Sequence, residues 1–160
     1  MLGAERLIRV GTCGGIQPNM SMGDTVVAIA ASADDQTPLR YAQMEGFAPS
    51  ATFVLAERAV ALARETGRFD VHVGSVVSSG VFYDPDPGTF GRWRRLGHLG
   101  VEMEAAMLYT IAAVKGLEAL AIMTVSDLLG DDADRVRISD EDMKSGVDQM
   151  MEIGCRVAVS

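Results

Sequence analysis

Leu120-Ala121-Ile122-Met123-Thr124-Val125 is a short, almost unbroken apolar run, and it reads as a strand buried inside a sheet. It ends in Ser126-Asp127 and is followed by a loop with Gly130 and Asp131-Asp132. Polar groups at the carboxyl end of a buried strand are where α/β sheets place their ligands. For an isolated Ser-Asp pair a turn or cap is the better explanation. The company these residues keep decides between the two.

That company is a chain of alternating strand and helix patterns. After Met1 and Leu2, Leu7-Ile8-Arg9-Val10 gives a first strand, and Gly11-Thr12-Cys13-Gly14-Gly15 reads as a glycine-rich turn whose N–H groups suit an anion. Arg9 sits within that apolar strand; if buried, it needs an anion or an acidic partner. Facing solvent, or paired with a structural carboxylate, it would carry no function, and the strand alone leaves both open. Met22-Gly23-Asp24 turns into a second strand over Thr25 to Ala31. Ala33 to Pro49 has no periodicity and is expected to be a long loop. Ser50 is a candidate cap for a helix over 51–66 stopped by Gly67, with Phe53, Val54, Ala56, Val60, Ala61 and Ala63 toward the sheet.

Val71 to Val77 predicts a third strand, with His72 as a structural residue. Ser78-Ser79-Gly80 then opens a turn-rich loop carrying Phe82 and Tyr83, either of which suits stacking on a planar ligand or anchoring the loop. Phe90 to Leu99 predicts a short surface helix with Arg92, Arg94 and Arg95 solvated around Trp93. A final helix begins at Ser139, with Asp142 in a capping-box-like position. Its apolar stripe is Ile138, Met143, Val147, Met150, Met151 and Ile153. Strands alternating with helices predict an α/β fold, three layers with a central mixed β-sheet flanked by helices, in a single domain over 1–160.

Val101-Glu102-Met103-Glu104-Ala105-Ala106 is the second unusual stretch. Two carboxylates two residues apart share one face of an extended segment, not of a helix. Acidic residues favour a helix start, which accounts for Glu102 more readily than for Glu104. The sequence from Ala105 to Val114 is nearly all apolar or small, so Glu104 at its entrance is expected to be partly desolvated and to need a partner.

Composition excludes several function classes. With 48% apolar and 22% charged residues in 160, the chain buries a real core. A net charge of −8 excludes the basic stripe of a general nucleic-acid surface. Phosphate recognition would have to come from a few local arginines. Two cysteines, Cys13 and Cys155, make neither a zinc pattern nor a disulfide framework. No apolar run approaches the ~20 residues of a membrane span, and no secretory signal is visible. A reduced, cytoplasmic setting is the expectation. Most of the ten methionines are expected to be core filler.

Taken together, these motifs resemble the nucleoside phosphorylase superfamily, and within it the bacterial, hexameric purine-specific type. Arg9-Val10-Gly11-Thr12-Cys13-Gly14-Gly15 is similar to its phosphate-side strand and turn, Val101 to Ala106 to its ribose-binding signature, and Thr124-Val125-Ser126-Asp127 to its purine-side strand end. The resemblance implies that Arg9 and Thr12 hold phosphate and that Glu104 binds the ribose hydroxyls, with Met103 packing on the sugar and Val101 and Glu102 nearby. It further implies that Phe82 lies against the base, and that Ser126 helps to place Asp127, the general acid at N7 of the purine. Inorganic phosphate is then the co-substrate, with no metal or organic cofactor, and a homo-oligomer is implied. Hydrolytic nucleosidases of the superfamily share the Met-Glu and Ser-Asp features but differ at the phosphate turn, and a non-catalytic nucleoside-binding chain is the remaining alternative. Uridine phosphorylases lack the Ser-Asp strand end.

The chain departs from the family in two respects. A preceding part of family subunits, with a further phosphate loop, strands of the sheet and a histidine that reaches a neighbour's site, is expected to be missing here. The family's Arg partner of the catalytic Asp falls near Met143 and Lys144, with Arg135 and Arg137 earlier, so Lys144 is a candidate substitute.

Overall fold

The computed structural model of the chain describes residues 3–130 and 139–160, together with the backbone of residues 136–137. The strands are β1 (Arg6–Gly15), β2 (Thr25–Ala33), β3 (Val71–Ser78), β4 (Gly100–Glu102), β5 (Glu118–Leu128) and β6 (Val136–Arg137). The helices are α1 (Thr37–Ala42), α2 (Phe53–Thr66), α3 (Thr89–Arg95), α4 (Ala105–Lys115) and α5 (Asp140–Ala158).

The sheet is mixed, in the order β1-β4-β3-β2-β5-β6, and β1 also pairs with β5. Parallel pairs are β1–β5, β2–β3 and β3–β4. Antiparallel pairs are β1–β4, β2–β5 and β5–β6. The strand pairs β1–β4, β4–β3, β3–β2, β2–β5 and β5–β1 close a ring, a closure that the order of elements alone did not foretell. The apolar run from Leu120 to Val125 is at its centre, and each of these residues is fully buried.

Period-two alternation divides the core into two clusters. Ala119, Ala121, Met123 and Val125 of β5, with Val26 and Ala28 of β2, meet Ala105, Ala106, Tyr109 and Ala112 of α4. Leu120 and Ile122, with Val27, turn the other way onto α2 and onto Met150, Ile153 and Val157 of α5. Helices thus cover both faces of the sheet, as expected. Small residues face α4, so this helix packs close to the sheet, and Tyr109 locks the contact. Its Oη donates to Ala28 O at 2.5 Å and accepts from Ala121 N at 2.9 Å. These are the partners with which the β2–β5 ladder ends.

Several local expectations are corrected. The glycine-rich stretch from Gly11 to Gly15 is not a turn; it continues β1, with a bulge between Cys13 and Gly14. None of its glycines has positive φ. They provide space instead: a Cβ at Gly11 would sit 2.5 Å from Arg9 Nη1, and one at Gly14 would sit 2.5 Å from Leu129 Cδ1. The long loop after β2 contains α1, a single helix of six residues opened by Pro38, whose fixed φ suits the first turn. Thr52, not Ser50, is the N-cap of α2, while Ser50 bridges to Ala30. Phe53, Val54 and Ala61 face outward, and Leu55, Ala59 and Leu62 join Ala56 and Ala63 in the core. Gly67 stops the helix with positive φ, as predicted.

The basic run of α3 is not simply solvated. Arg92 pairs with Asp86 at 2.7 Å, and Arg94 donates to the carbonyls of Ile16 at 2.6 Å and Leu129 at 3.2 Å. Ser139 caps α5 by accepting from Asp142 N at 3.1 Å, as the capping-box reading requires. In α5, Met150 and Ile153 are buried and Val147 packs beside them, but Met151 is 44% exposed. No helix among the described residues is long and apolar enough to cross a membrane.

Candidate active site

The carboxyl ends of β3 and β5, the β1 strand, the β4–α4 junction and the loop after β3 surround one cavity of about 250 Å³. Its lining contains the nine residues to which the resemblance assigned phosphate, nucleoside or acid roles: Arg9, Thr12, Phe82, Val101, Glu102, Met103, Glu104, Ser126 and Asp127. Residues more than a hundred positions apart meet here because β1 and β5 run in parallel, with Thr12 opposite Thr124 and Gly14 opposite Asp127.

Glu102 is the electrostatic centre. Its side chain is 0% exposed, and four donors surround it. Ser78 Oγ donates to Oε1. Glu104 N donates to Oε2 at 2.9 Å, and Ala105 N lies within 3.0 Å of both oxygens. Arg9 Nη2 lies 3.3 Å from Oε2. Two of these donors are the first free N–H groups of α4, so Glu102 acts as the cap of that helix from the preceding strand. Ser78 completes the cap by accepting from Ala106 N at 2.8 Å.

Glu104 behaves differently. It occupies the N-cap position of α4 but makes no side-chain cap, and its carboxylate pairs with Arg9 Nη2. Its side chain is 62% exposed. The expected burial is therefore reversed: Glu102 at the end of the strand is enclosed, and Glu104 at the helix entrance is open. Glu104 has the partner it was expected to need, Arg9, and Glu102 shares that partner. Arg9 itself is largely buried, and its Nη1 has no hydrogen-bond partner among the described residues.

Elsewhere in the lining, Ser126 is buried, and its Oγ lies 2.7 Å from Asp127 Oδ2 and 3.3 Å from Cys13 O. Asp127 is half-buried at the end of β5. Lys144 is not beside it: Lys144 Nζ pairs with Asp148 at 2.9 Å on the outer face of α5. Asp131, Asp132, Arg135, Ile138 and the Arg137 side chain lie outside the described residues, as do Met1 and Leu2. Of the two aromatics after β3, Phe82 lines the cavity; Tyr83 is 82% exposed and meets Phe82 edge-on at 4.9 Å.

The sequence reading missed Cys13, Gly14, Ser79, Val81, Phe90 and Leu129 among the lining residues. Burial pushes the Cys13 thiol up to about 12, with the Glu102 charge adding to the effect, so this residue is a neutral wall. Ser79 had a usable signal, because Ser78-Ser79 ends a buried strand just as Ser126-Asp127 does. Asp34 holds the turn that follows: Oδ2 accepts from Ser79 Oγ and Oδ1 from Gly80 N at 3.2 Å.

A family model described as the phosphorylase superfamily matches residues 1–157. The chain belongs to this superfamily. Among curated relatives, the DeoD-type purine nucleoside phosphorylase of Clostridium beijerinckii is 50% identical over 125 residues, covering 78% of this chain and 52% of the relative. The DeoD-type enzyme of Exiguobacterium sp. (strain ATCC BAA-1283 / AT1b) is 40% identical over 160 residues, covering 98% and 65%. That of Aliivibrio salmonicida is 37% identical over 157 residues, again covering 98% and 65%. The chain therefore spans between about half and two thirds of the length of these relatives.

Proposed function

We propose that this phosphorylase-superfamily chain carries the catalytic core for reversible phosphorolysis of purine ribonucleosides or deoxyribonucleosides, giving free base and (deoxy)ribose 1-phosphate. The observation that carries the reading is one cavity whose lining brings the Arg9 guanidinium and two glutamates together with Ser126 and Asp127. A cation for phosphate, carboxylates for a sugar and an acid for a leaving base are the groups that the reaction needs.

In this reading phosphate is held by Arg9 and Thr12 and attacks the anomeric carbon as the bond to the purine breaks. The sugar passes through an oxocarbenium-like state, stabilised by Glu104 gripping its hydroxyls, with Met103 and Val101 packed beside it. Electrons of the broken bond move into the purine, and Asp127, placed by Ser126, supplies a proton at N7. Such proton transfer is worth roughly 10²–10⁴-fold in rate. Phe82 provides an apolar face for the base, and Glu102 fixes Arg9 and the start of α4. Phosphate is the one co-substrate the scheme requires. A cytoplasmic location and homo-oligomeric assembly belong to the same proposal, supported by the two free cysteines and by the exposed Phe53 and Val54.

Two variants test the assignment. Asp127→Asn should lower kcat with KM for phosphate nearly unchanged, and Arg9→Gln should raise KM for phosphate. If Asp127→Asn retained wild-type kcat, the proposed acid would be wrong.

A further inference from the structure

We infer that Glu104 is a competitor for Arg9 as well as a sugar ligand, and that its two exclusive positions couple phosphate binding to nucleoside binding. The inference rests on the phosphorolytic reading above and deepens it.

Arg9 Nη2 is bracketed by two carboxylates, Glu102 at 3.3 Å and Glu104 in direct contact. The guanidinium charge is therefore more than neutralised, an unfavourable setting for a phosphate dianion. One carboxylate must yield before Arg9 can serve an incoming anion. Glu102 is fixed: it is enclosed, capped onto α4 through Glu104 N and Ala105 N, and held by Ser78 Oγ. Moving it would strip the helix start of its acceptor. Glu104 is free to move, because its side chain is 62% exposed and Arg9 is its one partner among the described residues.

Meanwhile Arg9 Nη1 is buried with no acceptor among the described residues. A phosphate oxygen at that nitrogen would satisfy an orphaned donor, and a second oxygen at Nη2 would replace Glu104. The displaced carboxylate lies at the cavity wall, next to Met103, where the sugar hydroxyls are proposed to bind. The exchange also works in reverse, since a nucleoside that draws Glu104 onto its hydroxyls unmasks Arg9. Linkage makes the two effects equal, so each substrate tightens the other by the same factor. Glu102 supplies the standing counter-charge that keeps Arg9 in place throughout.

The test is calorimetric titration with inorganic phosphate of the wild-type chain, Glu104→Gln and Arg9→Gln at low ionic strength, followed by titration, with and without phosphate, with an inosine analogue whose base is joined to the sugar by an uncleavable carbon–carbon bond. Glu104→Gln is expected to bind phosphate about 3- to 10-fold more tightly than wild type, because its competitor is neutral. That advantage should shrink as salt screens the exposed carboxylate. In wild type phosphate should tighten binding of the analogue, and in Glu104→Gln that ratio should fall toward one. If wild type binds phosphate and Glu104→Gln binds it equally or more weakly, the competition is refuted while the phosphate site stands. If no heat is seen with any of the three proteins, the phosphate site itself is refuted, and the competition with it.

Discussion

Replacing Glu102 by Ala and by Gln should separate its two structural duties, and the size of each effect follows from its neighbours. The side chain is wholly enclosed and receives Ser78 Oγ, Glu104 N, Ala105 N and Arg9 Nη2. Alanine leaves two N–H groups of α4 and one hydroxyl without their acceptor, each costing about 1 kcal/mol. It also deprives a largely buried guanidinium of its enclosed counter-ion, which adds about 1–2 kcal/mol because Glu104 still remains at Arg9. The total is about 4–5 kcal/mol. Glutamine can retain much of the arrangement. With its oxygen toward Glu104 N, Ala105 N and Arg9, its amide donates to Ser78 Oγ, and the charge is the main loss. That variant should cost about 1–2 kcal/mol. Urea unfolding followed by circular dichroism measures both, provided the slope against denaturant is unchanged. The reasoning fails if alanine costs under about 1 kcal/mol, or if glutamine costs as much as alanine.

Further predictions rest on other neighbours. A Cβ at Gly100 would lie 2.8 Å from Gly14 O, a backbone atom that cannot turn aside, so Gly100→Ala should destabilise the β1–β4 crossing by about 1–3 kcal/mol in the same unfolding assay. Burial holds the Cys13 thiol protonated, at about 12, whereas Cys155 is exposed. Iodoacetamide at pH 8 should therefore add one label to the folded chain by mass spectrometry, and two labels would contradict the enclosure of Cys13. Burial holds the His98 pKa below its ordinary 6.5, and its Nδ1 has no partner among the described residues. The unfolded chain then takes up a proton that the folded ring resists. His98 thus contributes stability that is present above pH 6.5 and is lost as pH falls through the folded pKa. His98→Gln should flatten that part of the stability profile, and an unchanged slope would count against it.

The site was legible because strand ends signal ligands whether or not the topology is known. Ser126-Asp127 and the Glu102-Met103-Glu104 stretch could be selected from residue types and spacing, and the ring of strands brings both to one cavity. Burial was less legible. Amphipathic logic enclosed Glu104 and left Glu102 at the surface, because a helix start usually faces water. Here the strand before the helix passes under Ser78 and Arg9, so the residue inside the strand is the one enclosed. The glycines of β1 misled for a related reason. Glycine signals a turn when its conformational freedom is used; Gly11 and Gly14 are needed for the room they leave to Arg9 and Leu129. Helix α1 escaped detection because six residues give too short a window for any period to show. The place of Lys144 depended on which way one residue of α5 points, and the sequence offered a neighbour at the i+4 position, Asp148, that claims it.

The most direct test of the account is release of purine from inosine and adenosine by the purified chain, followed with and without inorganic phosphate. The account predicts release that requires phosphate, yields a sugar 1-phosphate, and falls by about 10²–10⁴-fold in Asp127→Asn. Release at the same rate without phosphate, giving free sugar, would contradict phosphorolysis and assign the cavity to hydrolysis.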